Sequence, residues 1–266
     1  MPTVGEVFEQ HRGVFGSVPS TANDFVCPHC VGPKPAEYEQ CYGCLRLLKL
    51  RHEVAGEDVL PPLELRDRIV PMTTALNPST WYAYLLTYKR GRLDDLGPAL
   101  VALTFTFLSL HEAQVRECLD GAPDCLTIVP SKQHGIVFGS QPLVRALGMV
   151  RPLRAQLVQT LVYVQGAEWQ RQTYYPDRFQ AGPTPVRGRR VLLLEDAWVA
   201  GGTAVSAAGA LVREGASAVL IMPIARVVNR DDAISDPEGL YRKAMTAPYD
   251  PDNWPRIVER PGWIRR

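Results

Sequence analysis

The chain has 266 residues, 46% hydrophobic and 21% charged, ordinary values for a globular protein with one core of about 200 residues plus an appendage. Its formal net charge of +1 excludes a global pull toward nucleic acid or an anionic membrane, so any polyanion site must be local. The opening MPTVGEVFEQHRGVF has no basic start followed by an apolar run, and no stretch approaches the ~18 apolar residues of a membrane span; a soluble, cytoplasmic protein with no membrane partner is expected.

Cysteine organises the first segment. Cys27 and Cys30, then Cys41 and Cys44, form two C-x-x-C knuckles in CPHCVGPKPAEYEQCYGC. Each knuckle points two thiolates into one small space, and two knuckles complete the tetrahedral sulfur shell that zinc accepts. Structural zinc (Zn) on these four residues is expected, because a closed four-sulfur site leaves no open coordination position. Paired disulfides or a redox role are the alternative, disfavoured without a secretory signal. His29 and Tyr42, inside the knuckles, are read as packing there, and Cys118 and Cys125 as half-buried thiols. Residues 1–60 are thus a small zinc-ribbon-like module, and the charged, proline-punctuated 51–72 is an irregular lead-in to a core over 61–228.

Residues 79–119 read as two helices broken near Gly91 and Gly97, the second strongly apolar. CLTIVP (125–130) is a short buried strand ended by proline, QPLVRALGMV a helix, and QLVQTLVYVQ (156–165) either helix or strand. Residues 166–189, rich in Gly, Pro and polar side chains, are the best candidate for a mobile loop. Strand 190–195, helix 203–213, a stop at Gly215 and strand 218–224 come next. Strand, helix, strand with wholly apolar strands predicts an α/β fold: a parallel sheet with helices on both faces.

In such sheets ligands bind at the carboxyl ends of strands, where Glu195 and Asp196 fall. Val199, Ala200, Gly201, Gly202 and Thr203 then lead into a helix N-terminus, whose unpaired N–H groups and dipole favour an anion. The glycines remove side chains that would keep a phosphate away, and Thr203 adds a hydroxyl. Two carboxylates beside a phosphate cradle suit a ligand carrying hydroxyls near its phosphate, as ribose 5-phosphate does. A Walker loop is set aside because Gly202 stands where its lysine would be, and a Rossmann fingerprint because the acids precede the glycines.

VLLLEDAWVAGGTA resembles the 5-phosphoribosyl 1-pyrophosphate motif of type I phosphoribosyltransferases: an apolar run, two acids, three variable residues, a hydroxyl residue, then glycines and threonine. It departs at Ala200, where the hydroxyl residue is usual. With the two cysteine knuckles, YKRGR (88–92), IVPSKQHG (128–135) and DRF (177–179), the chain resembles the ComF-like, competence-associated branch of that family over most of residues 25–225.

The resemblance implies an enzyme, a glycosyltransferase of nucleotide metabolism that displaces pyrophosphate from ribose C1 through a cationic transition state. Glu195 and Asp196 would hold the ribose hydroxyls and the amides of Val199 to Thr203 the 5-phosphate. Ser131 and Lys132 would bind pyrophosphate with magnesium (Mg²⁺), and loop 166–185, carrying Arg178, would close as a lid. Lys89 would reach the anion as well, a solvated charge being its alternative. Purine-salvage members carry an aspartate where this chain has Val199, which disfavours a guanine or hypoxanthine acceptor; the nitrogen nucleophile is left open. The second reading is a noncatalytic nucleotide-binding or DNA-uptake accessory protein, with the basic RVVNR (226–230), RGRR (187–190) and WIRR (263–266) touching nucleic acid; near-zero net charge argues against that as the main role. The C-terminal extension, 229–266, would pack on this subunit or on a neighbour in a homodimer.

Overall fold

A computed structural model describes residues 2–21, 23–49, 52–54, 57–59, 68–89, 96–131, 137–164, 173–229, 236 and 238–254. Thr3 opens helix α1 (Val4–His11) through a reciprocal cap. Its hydroxyl accepts from the Glu6 N–H at 3.3 Å, while its own N–H donates to the Glu6 carboxylate at 2.7 Å. The buried side of α1 carries Phe8, whose ring meets Tyr249 edge-on; Phe15 lies against Trp81. The amino-terminal helix therefore belongs to the main core.

The second cysteine knuckle contains one helical turn, α2 (Tyr42–Cys44), and a short antiparallel pair, β1 (His52–Val54) and β2 (Glu57–Val59), lies beyond it in the chain. Strand β3 (Thr73–Asn77) leads to α3 (Thr80–Lys89), α4 (Gly97–Leu110) and α5 (Glu112–Cys118). Three helices thus occupy the region read as two. The chain continues through β4 (Cys125–Ile128), α6 (Pro142–Leu147), α7 (Arg151–Gln156), β5 (Leu161–Tyr163), β6 (Phe179–Ala181), β7 (Arg190–Trp198), α8 (Gly202–Arg213), β8 (Ala218–Asn229) and α9 (Leu240–Thr246). The undecided stretch 156–165 becomes strand at Leu161–Tyr163. No helix among the described residues is long and apolar enough to cross a membrane.

Four strands form one parallel sheet in the order β3-β8-β7-β4, as the apolar runs predict. Leu192 and Leu194 join one buried cluster with α4 and α6, while Val191 and Leu193 join another with α8 and the four cysteines. Successive residues of a strand point to opposite faces, and both faces are covered. Beyond β4, the Val158 N–H donates to the Leu126 carbonyl at 2.9 Å and Leu157 bridges Leu126 in parallel. From β4 the chain thus proceeds outward to one side, and from β7 to β8 on the other. The sheet reverses its winding between β4 and β7, and a crevice opens at such a point outside the carboxyl ends of the two strands.

Both glycine-flanking strands outrun their sequence readings, β7 continuing to Trp198 and β8 to Asn229. The described tail packs on this subunit: Tyr241 and Tyr249 are fully buried, and Trp254 stacks on Phe107 with ring centroids 5.4 Å apart.

Candidate functional site

The four cysteines meet in the fold. Their sulfurs all lie within 4.8 Å of one another, each is buried, and none is in a disulfide. Knuckle geometry comes from local hydrogen bonds. The Cys27 N–H donates to the Gly32 carbonyl at 2.7 Å, the Val31 N–H to Cys27 at 2.9 Å, and the Leu45 N–H to Cys41 at 2.9 Å. The Cys44 N–H reaches the Cys41 sulfur at 3.4 Å. Cys30 Sγ and Cys41 Sγ are 3.7 Å apart. That is too far for a disulfide near 2.05 Å, but it matches the ~3.8 Å edge of a sulfur tetrahedron around zinc at ~2.3 Å.

Electrostatics points the same way. Hydrogen bonds from the Cys27, Cys41 and Cys44 thiols, with help from the Arg226 charge, hold Cys30 well below the usual thiol range. The Cys27, Cys30 and Cys41 thiols, then burial, push Cys44 well above it. Four buried thiols cannot all ionise together without a cation between them, and a divalent metal removes that conflict. The donor set is therefore compatible with structural zinc. His29 is buried and its Nε2 pairs with Gln40 Oε1 at 3.0 Å, whereas Tyr42 is 69% exposed and does not pack inside its knuckle.

Glu195 and Asp196 lie within β7, not past its end, at the level where β4 stops. The β4 ladder closes at Ile128 opposite Leu194, with the Val129 N–H donating to Leu194 at 3.0 Å. On the other side Glu195 stands opposite Pro223, which has no N–H to give. Both acids are half-buried beside the carboxyl end of β4, and the Asp196 charge acts on Tyr88 of α3, whose phenol is pushed up first by burial and then by that carboxylate. Ser131, half-buried, stands just beyond β4. Lys132 lies outside the described residues.

The glycine turn has the backbone that its sequence suggests. Gly201 is the N-cap of the 12-residue α8 with φ +77°, a left-handed conformation disfavoured for any residue with a Cβ. An added Cβ would lie 2.1 Å from the Trp198 indole. No side chain caps α8, so the N–H groups of its first turn are left to face a ligand or solvent. Val199 is 62% exposed and Gly202 buried; Ala200 and Thr203 are intermediate.

Two further expected contributors are Lys89 and Arg178. Lys89 is the last residue of α3. Arg178 is 5% exposed, its Nη2 donates to the Thr173 carbonyl at 3.2 Å, and burial lowers its pKa. Of the loop 166–185, residues 166–172 lie outside the described residues. The remainder of that loop is anchored: β6 pairs with β5, and the Tyr175 N–H donates to Ser206 of α8 at 2.9 Å.

A residue that sequence reading assigned to a basic surface patch emerges at the centre of this region. Arg226, on β8, is 9% exposed and donates from Nη1 to the carbonyls of Trp198 at 3.1 Å and Val199 at 3.0 Å. An arginine interrupting a 12-residue apolar strand was the available signal. Beside it lies a cavity of about 370 Å³ lined by Asn77, Tyr82, Val199, Arg226 and Asn229 among others. Compared with models of known protein families and with curated protein sequences, the chain matches none.

Proposed function

We propose that this protein binds 5-phosphoribosyl 1-pyrophosphate with Mg²⁺ at the crevice between β4 and β7, and that it transfers the phosphoribosyl group to a nitrogen nucleophile with release of pyrophosphate. The observation carrying this reading is one juxtaposition. The acid pair of β7 stands where β4 ends, and the uncapped N-terminus of α8 comes next through Gly201, at the switch point of a parallel sheet. An anion suits the amides and dipole of α8; sugar hydroxyls suit the two carboxylates. The same placement supports a type I phosphoribosyltransferase-like fold.

In this reading the C1–O bond to pyrophosphate breaks with its electron pair leaving on pyrophosphate, and a C1–N bond forms. Glu195 and Asp196 orient the ribose and place negative charge beside a ring that becomes cationic, stabilising the transition state more than the ground state. The amides of residues 199–203 fix the 5-phosphate, and Ser131 at the end of β4 faces the leaving group. Mg²⁺ bound with the pyrophosphate supplies charge neutralisation of its oxygens. The 370 Å³ cavity next to Val199 is of ligand size; Asn77, Asn229 and Tyr82 offer it two amides and an aromatic face, which suits a flat nitrogen compound as acceptor.

Incubation with phosphoribosyl pyrophosphate, Mg²⁺ and a panel of bases and amines, followed by pyrophosphate detection, tests the proposal. Acceptor-dependent pyrophosphate release is the expected result. Binding without release by any acceptor would reduce the protein to a noncatalytic binding module, and the absence of binding would remove the reading altogether.

A further inference from the structure

Arg226 is held from two sides. On one, its Nη1 donates to the carbonyls of Trp198 and Val199, the two residues that lead into the glycine turn. On the other, the guanidinium lies close against the first cysteine knuckle: a Cβ added at Gly32 would be 2.5 Å from Nη2 and 2.8 Å from Nε. Gly32 is the residue whose carbonyl closes that knuckle onto Cys27. A planar, rigid group therefore spans from the metal-binding backbone to the loop.

A buried cation is costly unless an anion faces it. Among the described residues no carboxylate pairs with Arg226. The side of the guanidinium away from the loop faces the knuckle that holds Cys27 and Cys30. Four thiolates around a divalent metal carry a net charge of about −2 (4 × −1 + 2), and with metal bound that charge would sit behind the knuckle Arg226 rests on. A bound metal would thus fix both the wall that Arg226 rests on and the field that faces it.

We propose that Arg226 is a positioning residue coupling the four-cysteine centre to the loop at residues 198–201: metal bound, the arginine holds the Trp198 and Val199 carbonyls in place, and metal lost, that hold slackens. The link itself does not depend on what the loop binds; only its consequence for affinity rests on the phosphoribosyl pyrophosphate reading.

The test uses full-length protein carrying 5-fluorotryptophan, with the Trp198 resonance assigned through Trp198→Phe, in zinc-loaded and zinc-stripped forms. The Trp198 fluorine signal should move on stripping the parent and stay put on stripping Arg226→Lys, which keeps the charge but loses the fork. Calorimetric affinity for phosphoribosyl pyrophosphate with Mg²⁺ should fall about tenfold on stripping the parent, about one charge-assisted hydrogen bond. It should be lowered by a similar factor in loaded Arg226→Lys and be insensitive there to metal. An unmoved signal in the stripped parent overturns the proposal. So does an Arg226→Lys protein that responds to stripping as the parent does, since unfolding of the knuckles would then reach the loop without the arginine. If stripped protein or Arg226→Lys fails to fold, zinc-loaded Gly32→Ala decides. Full zinc content with a displaced Trp198 signal supports the link, and an undisplaced signal overturns it. If no form binds phosphoribosyl pyrophosphate, the functional reading fails and the fluorine signal still judges the coupling.

Discussion

Gly201→Ala puts the loop geometry to its sharpest test. At φ +77° an alanine incurs about 1–2 kcal/mol from the left-handed backbone. Its Cβ would also lie 2.1 Å from the buried Trp198 ring, and overpacking of this kind costs about 1–3 kcal/mol more. The total is about 2–5 kcal/mol, or roughly a 10 °C drop in melting temperature for a chain of this size. Gly188 supplies the control: it has φ +72° but nothing within 4 Å of an added Cβ, so Gly188→Ala should show the backbone cost of about 1–2 kcal/mol alone. Denaturant titration of both variants measures the difference. Equal destabilisation would refute the claim that Trp198 forms a fixed floor under the turn. In the same preparations, Gly201→Ala should lose phosphate binding while Gly188→Ala retains it.

Elemental analysis should find about one zinc per chain, and Cys44→Ser should remove it, lower the melting temperature and leave a folded parallel-sheet core. Glu195→Gln and Asp196→Asn should keep the parent's stability within about 0.5 kcal/mol, as half-exposed side chains generally do. They should also weaken phosphoribosyl pyrophosphate binding more than inorganic phosphate binding, read by calorimetry; a double variant that binds the sugar ligand as the parent does would reduce the acids to solvated charges. Asp124 accepts from the Arg190 backbone N–H at 2.8 Å and from its guanidinium at 3.0 and 3.1 Å, which holds its carboxyl down at about 2. Because the folded value lies below the unfolded ~3.9, the contribution is present above pH ~4 and is lost as pH falls through about 2. With the pair more than a third exposed, Asp124→Asn should cost only about 0.5–1 kcal/mol at neutral pH. The gap from the parent should close between pH 4 and 2 in urea titrations, and a gap independent of pH would exclude the ion pair as its source.

How much of this was legible before folding depends on how local each cause is. The C-x-x-C pairs are local, since two residues of spacing already bring two thiols together, and the structure gathers all four. The apolar runs of β7 and β8 and the glycine turn are local too, and the parallel sheet with α8 behind the turn arises from them. The Thr3–Glu6 cap of α1 is equally local, with Thr-x-x-Glu as its signature, yet the absence of a long apolar run in that segment masks the helix it opens. Strand ends were not legible. The sequence readings end at Glu195 and Ile224, yet β7 and β8 run on to Trp198 and Asn229 because ladder pairing and burial outweigh propensity in the middle of a sheet.

Arg226 marks the furthest limit. In sequence it belongs to RVVNR and reads as part of a basic surface patch open to nucleic acid, because arginine rarely loses its water. That reading is reversed by a contact no window can contain: Gly32, whose missing side chain admits the guanidinium beside the first cysteine knuckle. Gly32 in turn has a role that its own neighbourhood hides. It need not be glycine for its backbone, which has no left-handed φ; it must be small because an arginine from the opposite end of the chain lies against it. A serine or alanine there should leave the knuckle hydrogen bonds intact and still disturb the loop at Val199, which is a consequence of packing alone and needs no change in metal affinity.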